Sequence, residues 1–524
     1  MAGFEGTAAS EVPADLIGRL AGIILFKRNL RSAQQIRELT DELRNGWSTA
    51  AGAQAPPLIA IDQEGGSVSR LAGIGTTTPA AMALGATGDP QLTQQMYGIV
   101  GAELAALGIN LDYAPVADVN NNLENPVIGV RSFGDDPRSV AKHVAAAIRG
   151  LQSAGIAATA KHFPGHGDTA TDSHADLPVI KHSLEHIRTV ELVPFRSAIE
   201  SGVDAIMSAH ILFPAAGQDA TPATLSPSLL TGLLREELGF DGVICTDCME
   251  MNAIAATCAP GRAAVMAVAA GADLVLFSHT PEKVRQAMQG LRAALQDGSL
   301  PPAQVERSLE RVSALRRRLA AAGARAAEKP DLTSVGSEEH QAAALEAARR
   351  AVTLVRDPQS LLPLRIEAGM RVFVVSFIAA ALSPVENKSD KQRTVLGKML
   401  TALGARVHEQ TRSLDPAGHE YKQLLMASGS ADVVIAVTAR AAHHPLQARA
   451  VADLMMLGKP VVTVAAREPY DAARLPANMT VVAAFGDDDH ALQAALEFIL
   501  GRFTAPGKLP VTIAGAPLDL EPTS

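Results

Sequence analysis

Ile156-Ala-Ala-Thr-Ala-Lys-His-Phe-Pro-Gly-His-Gly-Asp-Thr-Ala-Thr-Asp-Ser-His174 is where the chain changes character most abruptly. Ile156 to Ala160 is a short apolar run of strand length. From Lys161 to His174 there follow three imidazoles, two carboxylates and an ammonium. Pro164, Gly165 and Gly167 rule out a regular helix there. The polar side chains are therefore carried by an irregular loop that begins where a buried strand ends. A strand with chemistry at its C-terminal end is the unit from which βα barrels are built.

The same unit recurs on both sides. Strands are expected at Gly22–Phe26, Leu58–Ile61, Ile109–Tyr113, Val203–Met207, Gly242–Cys245 and Asp273–Phe277. Ala-rich amphipathic stretches such as Asp89–Leu107 and Ser139–Ser153 lie between them and read as helices. This βαβα rhythm implies a parallel sheet with helices outside, and its length favours a closed (β/α)8 TIM-like barrel over an open sheet. Asn29, Asp62, Asp118, Lys161 with His162, His210 and Asp247 all fall at the C-terminal ends of these runs. In a barrel they share one rim. Ala320 to Gly336 lacks a clear apolar period and reads as a helix tail and linker. A helix at Glu338–Arg350 and strands at Val352–Val355, Arg371–Val375, Val433–Val437, Val461–Ala465 and Val481–Ala484 then imply a smaller α/β/α sandwich. The expected division is a barrel at 1–325, a linker at 326–345 and a sandwich at 346–524.

Bulk properties narrow the function. The chain has 524 residues and a formal charge of -9, with no basic block. Nucleic acid and anionic membrane are therefore not expected partners. The start, Met-Ala-Gly-Phe-Glu-Gly, has neither the basic nor the apolar region of a secretory signal, and no apolar run has membrane-spanning length. Three cysteines cannot build a disulfide framework, so a cytoplasmic location is expected. One Trp and four Tyr are few for a long polysaccharide groove and suit a small polar substrate. No G-x-G-x-x-G follows a strand and opens a helix, so no dinucleotide site is expected.

Asp247 lies in Val-Ile-Cys-Thr-Asp-Cys-Met-Glu-Met, just past an apolar run. A carboxylate there has a fixed backbone behind it and an open site ahead, as a nucleophile requires, although a helix-capping Asp would read the same way. In Asp172-Ser-His174 the carboxylate can turn back to one ring nitrogen and raise the basicity of the other, or make a local turn contact without chemistry. Asp62-Gln-Glu-Gly-Gly with Arg70 forms a further cluster, and Arg131 is placed to grip oxygens in a bidentate contact. Cys245-Thr-Asp-Cys248 is formally C-x-x-C, but Cys258 belongs to no second pair, so neither redox chemistry nor a cysteine zinc site is expected. His162 and His166 stand four apart, yet Pro164-Gly165 forbids the helix that a metal pair at that spacing needs. A metal-dependent barrel hydrolase remains the mechanistic alternative, and a binding protein without catalysis the non-enzymatic one. His443-His444-Pro445 could approach the site, but reads more readily as a solvated loop.

Taken together these segments resemble glycoside hydrolase family 3, in particular its β-N-acetylglucosaminidase branch. The similarity is carried by Lys161–His174, Gly22-Ile-Ile-Leu-Phe-Lys-Arg-Asn29, Ile61-Asp-Gln-Glu-Gly-Gly-Ser-Val-Ser-Arg70, Pro126-Val-Ile-Gly-Val-Arg-Ser-Phe-Gly134, Met207-Ser-Ala-His-Ile211 and Thr246-Asp-Cys-Met-Glu-Met251. It continues more weakly through Ala347–Val355 and Gly507–Val511. The resemblance implies a retaining exo-glycosidase without cofactor or metal. Asp247 matches the nucleophile, and His174 with Asp172 the acid/base dyad. Asp62, Arg70, Arg131, Lys161 and His162 match sugar-binding positions, and His210 is grouped with them as a rim residue in a matching segment. Ser67 departs from the family's Arg, and Cys248 and Met249 from its small polar or acidic residue and Leu. Muropeptides or chito-oligosaccharides are the implied substrates. Inorganic phosphate is a second candidate acceptor, because neutral imidazole does not repel an anion as a carboxylate base would. β-Glucosidase or phosphorylase activity is the nearest alternative.

Overall fold

The computed structural model describes residues 1–51, 55–170, 177–215, 221–325, 331–377, 386 and 394–513. The first part holds β1 (Gly22–Leu25), β2 (Leu58–Ile61), a hairpin of β3 (Gln63–Gly65) and β4 (Val68–Ser69), β5 (Leu111–Asp112), β6 (Ala157–Phe163), β7 (Ala205–Ser208), β8 (Val243–Cys248) and β9 (Leu274–Leu276). Seven of these form one parallel sheet in the order β1-β2-β5-β6-β7-β8-β9. Its two edges meet through Ala2, which bridges both Ile23 and Phe277 in parallel. The Ala2 carbonyl accepts from Ile24 N at 3.0 Å, and Gly3 N donates to Phe277 O at 2.9 Å. The expected barrel is present, with seven strands and a one-residue bridge in place of the eighth.

Strand alternation explains how the barrel fills and where its site faces. Ile24, Leu58, Ala60, Leu111, Ala157, Ala205, Met207, Val243, Cys245, Leu274 and Leu276 pack together inside the barrel. Their neighbours Ile23, Leu25, Ile59, Ile61, Ala158, Ile206 and Ile244 pack outward under the helices. Side chains two apart on a strand share a face. The inward series 58-60, 157-159, 243-245 therefore continues to Asp62, Lys161 and Asp247 at the rim. The expected helices run from Pro90 to Ala106 and from Pro137 to Ser153. Asp89 and Asp136 cap them, each followed by a proline that has no amide hydrogen to satisfy.

A helix, Glu338–Ala351, leads into the second part. It begins inside the stretch read as linker, so the boundary drawn at 345 falls within a helix. Ala344 and Ala347 bury against the barrel's outer core, while Ala348 and Ala351 bury in the second part. There β10 (Thr353–Arg356), β11 (Arg371–Phe377), β12 (Arg406–Arg412), β13 (Val433–Thr438), β14 (Val461–Ala465) and β15 (Thr480–Ala483) form a sheet in the order β10-β15-β14-β13-β11-β12. β10 is antiparallel to β15 and the other pairs are parallel. Apolar clusters cover both faces, as a sandwich requires. Ala80, Met82, Ala83 and Val130 of the first part join one of them, so the two parts share core. Asn120 Nδ2 donates to Tyr470 Oη at 2.9 Å across the same junction.

Candidate active site

The rim carboxylates and cations meet over one cavity of about 970 Å³, with Asp62, Arg131, Lys161, His162 and Asp247 in its wall. Lys161 is its electrostatic centre. Its ammonium lies 2.9 Å from Asp62 Oδ1 and 2.7 Å from Glu64 Oε1. Arg131 closes the other side of Glu64 with two parallel bonds of 2.8 Å. Burial alone would raise the Glu64 carboxyl, but the Arg131 guanidinium and the Lys161 ammonium outweigh it and hold the group well below the usual carboxylate range. Burial likewise opposes the Lys161 charge, and Asp62 and Glu64 reverse that, so its pKa is raised. Three buried charges thus stabilise one another, and they hold Lys161 and Asp62 at the floor of the site. Arg70, also buried, is 3.8 Å from Asp62.

His162 has the wrong parity for the barrel interior, yet it reaches the cavity. The β6–β7 register shifts between Lys161 and Phe163, which turns the ring inward. Asp118, fully buried, fixes it. Oδ2 accepts from Nδ1 at 2.8 Å, while Oδ1 accepts from the amides of His162 and His166 at 3.1 and 2.7 Å. With Nδ1 carrying the proton, Nε2 is left as the ring's acceptor. His166 is a different case. Burial and the neighbouring His162 lower its pKa to about 4, and Nδ1 pairs with Thr169 Oγ1 at 2.9 Å.

Asp247 stands at the end of β8. Its Oδ1 accepts from Cys248 N at 2.6 Å, which fixes the carboxylate's rotation. His210, expected among the sugar contacts, sits behind this strand end. Its Nδ1 meets Thr224 Oγ1 at 2.8 Å and its Nε2 meets the Cys248 carbonyl at 3.0 Å. Both ring nitrogens are thereby engaged with protein groups beside Asp247, and His210 is not among the residues that line the cavity. Cys245 is inside the barrel core, and burial raises the Cys248 thiol to about 11. Neither position suits thiolate chemistry. Asp172 and His174 lie outside the described residues.

Three contributors escaped the sequence reading. Glu64 shares strand parity with Asp62, and that was the available signal. Asp118 was recognised as a rim residue but not as the group that orients His162. Glu386 comes from the second part. It lines the cavity and pairs with Arg467 at 3.0 Å. The second part thereby supplies part of the wall. His443 meets Glu124 of the first part at 3.3 Å and does not line the cavity.

A model of the glycosyl hydrolase family 3 N-terminal domain matches residues 7–315. The chain is 31% identical to Beta-hexosaminidase A of Pseudoalteromonas piscicida over 95% of this chain and 90% of that one. A Beta-hexosaminidase of Stenotrophomonas maltophilia (strain R551-3) is 39% identical over 52% of this chain and 80% of its own length. A solved glycoside hydrolase family 3 beta-N-acetylglucosaminidase from Paenibacillus sp. str. FPU-7 superposes with a TM-score of 0.90 at 39% identity, covering 98% of this chain and 97% of that one. The chain belongs to glycoside hydrolase family 3.

Proposed function

We propose that this family 3 enzyme is a retaining exo-β-N-acetylglucosaminidase. The observation that carries the reading is Asp247, inward-facing at a strand end and sharing one cavity with the Asp62–Lys161–Glu64–Arg131 cluster. The names of its relatives, Beta-hexosaminidase and beta-N-acetylglucosaminidase, support the choice of sugar. A cavity of about 970 Å³ has the volume of a small-molecule site rather than a polymer groove. Muropeptide or chito-oligosaccharide fragments are the substrates we assign.

In this mechanism Asp62, Lys161 and His162 hold the sugar hydroxyls by charge-assisted hydrogen bonds. Asp247 attacks the anomeric carbon while protonated His174 gives its proton to the leaving oxygen. Asp172 keeps the imidazole in the right tautomer and stabilises its charged form. The neutral ring then takes a proton from water, which attacks the glycosyl-enzyme and releases Asp247. No helix among the described residues is long and apolar enough to cross a membrane.

Aryl β-glycosides with and without phosphate test the assignment on wild type and on His174→Ala. Release from the N-acetylglucosaminide is expected to exceed release from the glucoside. The reverse preference would make the protein a β-glucosidase. His174→Ala should lose about 10²–10⁴-fold on poor leaving groups and less on activated phenols. Since a neutral base does not repel an anion, phosphate should divert part of the intermediate to sugar 1-phosphate. Free sugar alone at high phosphate would remove phosphorolysis from this reading.

A further inference from the structure

Beyond the cavity, β6 leads into a second cluster of ligating side chains. Asp168 lies just past the strand. His182 precedes the helix Leu184–Thr189, His186 lies on that helix, and Glu191 is the residue before the helix Leu192–Glu200. One donor atom from each of His182, His186 and Glu191 lies within 4.8 Å of the others. None of these residues lines the catalytic cavity.

Glu191 is the unusual member. The residue is 1% exposed, and its Oε2 has no hydrogen-bond partner among the described residues. Its Oε1 accepts from Asn121 Nδ2 at 3.2 Å and lies 3.6 Å from His186 Nε2, a buried nitrogen that likewise has no hydrogen-bond partner among them. A carboxylate removed from water in this way is costly unless a charge compensates it. The two imidazoles stack with centroids 4.0 Å apart, and each offers a nitrogen within 4.8 Å of the other and of a Glu191 oxygen. His182 Nε2 is closely hydrogen-bonded to Asp168 Oδ2. A carboxylate behind an imidazole in this way is the usual support of a metal-binding histidine, since it fixes the tautomer and leaves the other nitrogen to the metal. Asn121 does the same for Glu191.

We infer that His182, His186 and Glu191 form a zinc site, with Asp168 and Asn121 orienting the ligands. Two nitrogens and one carboxylate select a borderline transition metal over calcium or magnesium. Ligands about 2.0–2.1 Å from a tetrahedral ion lie about 3.3 Å from one another, so the three donors need to draw together by roughly 1.5 Å at most. Two of the three side chains are partly exposed, which permits that adjustment. The ion would neutralise Glu191 and fasten the segment after β6 to the two helices that follow.

Stripped of metal and titrated with zinc chloride by calorimetry at pH 7.5, the full chain should take up one ion at micromolar affinity or better. Its Tm should rise by roughly 3 °C at a hundredfold excess over Kd. Uptake should weaken as the pH falls, because protons compete with the ion for its ligands. His186→Ala and Glu191→Gln should each lower the affinity at least tenfold, while Asp247→Asn keeps it. Two variants are used so that a folding defect in one, seen by circular dichroism, leaves the other to decide. Absence of stoichiometric uptake would overturn the site and leave His186 and Glu191 as a plain ion pair. Undiminished uptake by either folded variant, or its loss in Asp247→Asn, would overturn it equally by placing zinc elsewhere.

Discussion

Asp247→Asn should lower kcat on an aryl β-N-acetylglucosaminide by roughly 10⁴-fold or more while leaving Tm within about 1 °C of wild type. The amide is isosteric with the carboxylate. Its oxygen can still accept from Cys248 N, the 2.6 Å contact that fixes the side chain's rotation. The strand beneath it is unchanged, and His210 still holds the Cys248 carbonyl from behind. What disappears is the negative charge to which we assign the attack on the anomeric carbon. The loss should therefore appear in kcat, with KM little altered, because Asp62 and Lys161 remain to hold the sugar. A mechanism-based fluorosugar should leave a covalent adduct on the wild-type chain, visible by mass spectrometry, and none on the variant. Retention of more than a tenth of wild-type turnover would transfer the role of nucleophile to another residue. Asp62 and Glu64, the carboxylates paired with Lys161, are already engaged with cations and are poorer nucleophiles for that reason.

The barrel strands were legible because a parallel strand buried on both faces must be apolar throughout. Leu58–Ile61 is such a run, and it appears with the same ends in the structure. Once strands are located, alternation assigns Asp62, Lys161 and Asp247 to one side without coordinates. Features that depend on irregular backbone were harder to see. His162 enters the cavity through a register shift, and residue spacing does not announce one. β12, Arg406–Arg412, is polar at most positions and was missed. It lies at the sheet's edge and pairs only with β11, so it need not be apolar. Arg131 was expected to grip oxygens in a bidentate contact and does, but the oxygens belong to Glu64. Its guanidinium chemistry was legible and its partner was not, because 67 residues separate the two. Glu386 is more distant still and reaches the cavity from the second part. The Asp172–His174 dyad, outside the described residues, rests on its sequence motif alone.

Glu64→Ala is expected to be the most destabilising single change in the site, costing about 3–5 kcal/mol. The side chain is 4% exposed and neutralises two cations that are themselves almost wholly buried, Lys161 at 3% and Arg131 at 5%. Truncation leaves one negative neighbour of Lys161, Asp62, and removes both of the guanidinium's bonds to a carboxylate. The cost is the desolvation of charges that have lost their compensation, which exceeds the net worth of the intact pair. Glu64→Gln separates charge from shape. It keeps one oxygen acceptor and the packing, so a smaller loss is expected. Acid should bring wild type and Glu64→Gln together. The folded Glu64 pKa lies below its unfolded value of about 4.3, so its contribution is complete above that value and fades as pH falls towards the folded one. Urea unfolding, read on the transition that includes the barrel, should show the widest gap between the two near pH 7 and a narrowing gap below pH 4. A midpoint for Glu64→Ala within about 1 kcal/mol of wild type, or a gap to Glu64→Gln that widens in acid, would mean that water or another carboxylate compensates Arg131 and Lys161. The charge balance at the floor of the cavity would then be held by something other than Glu64.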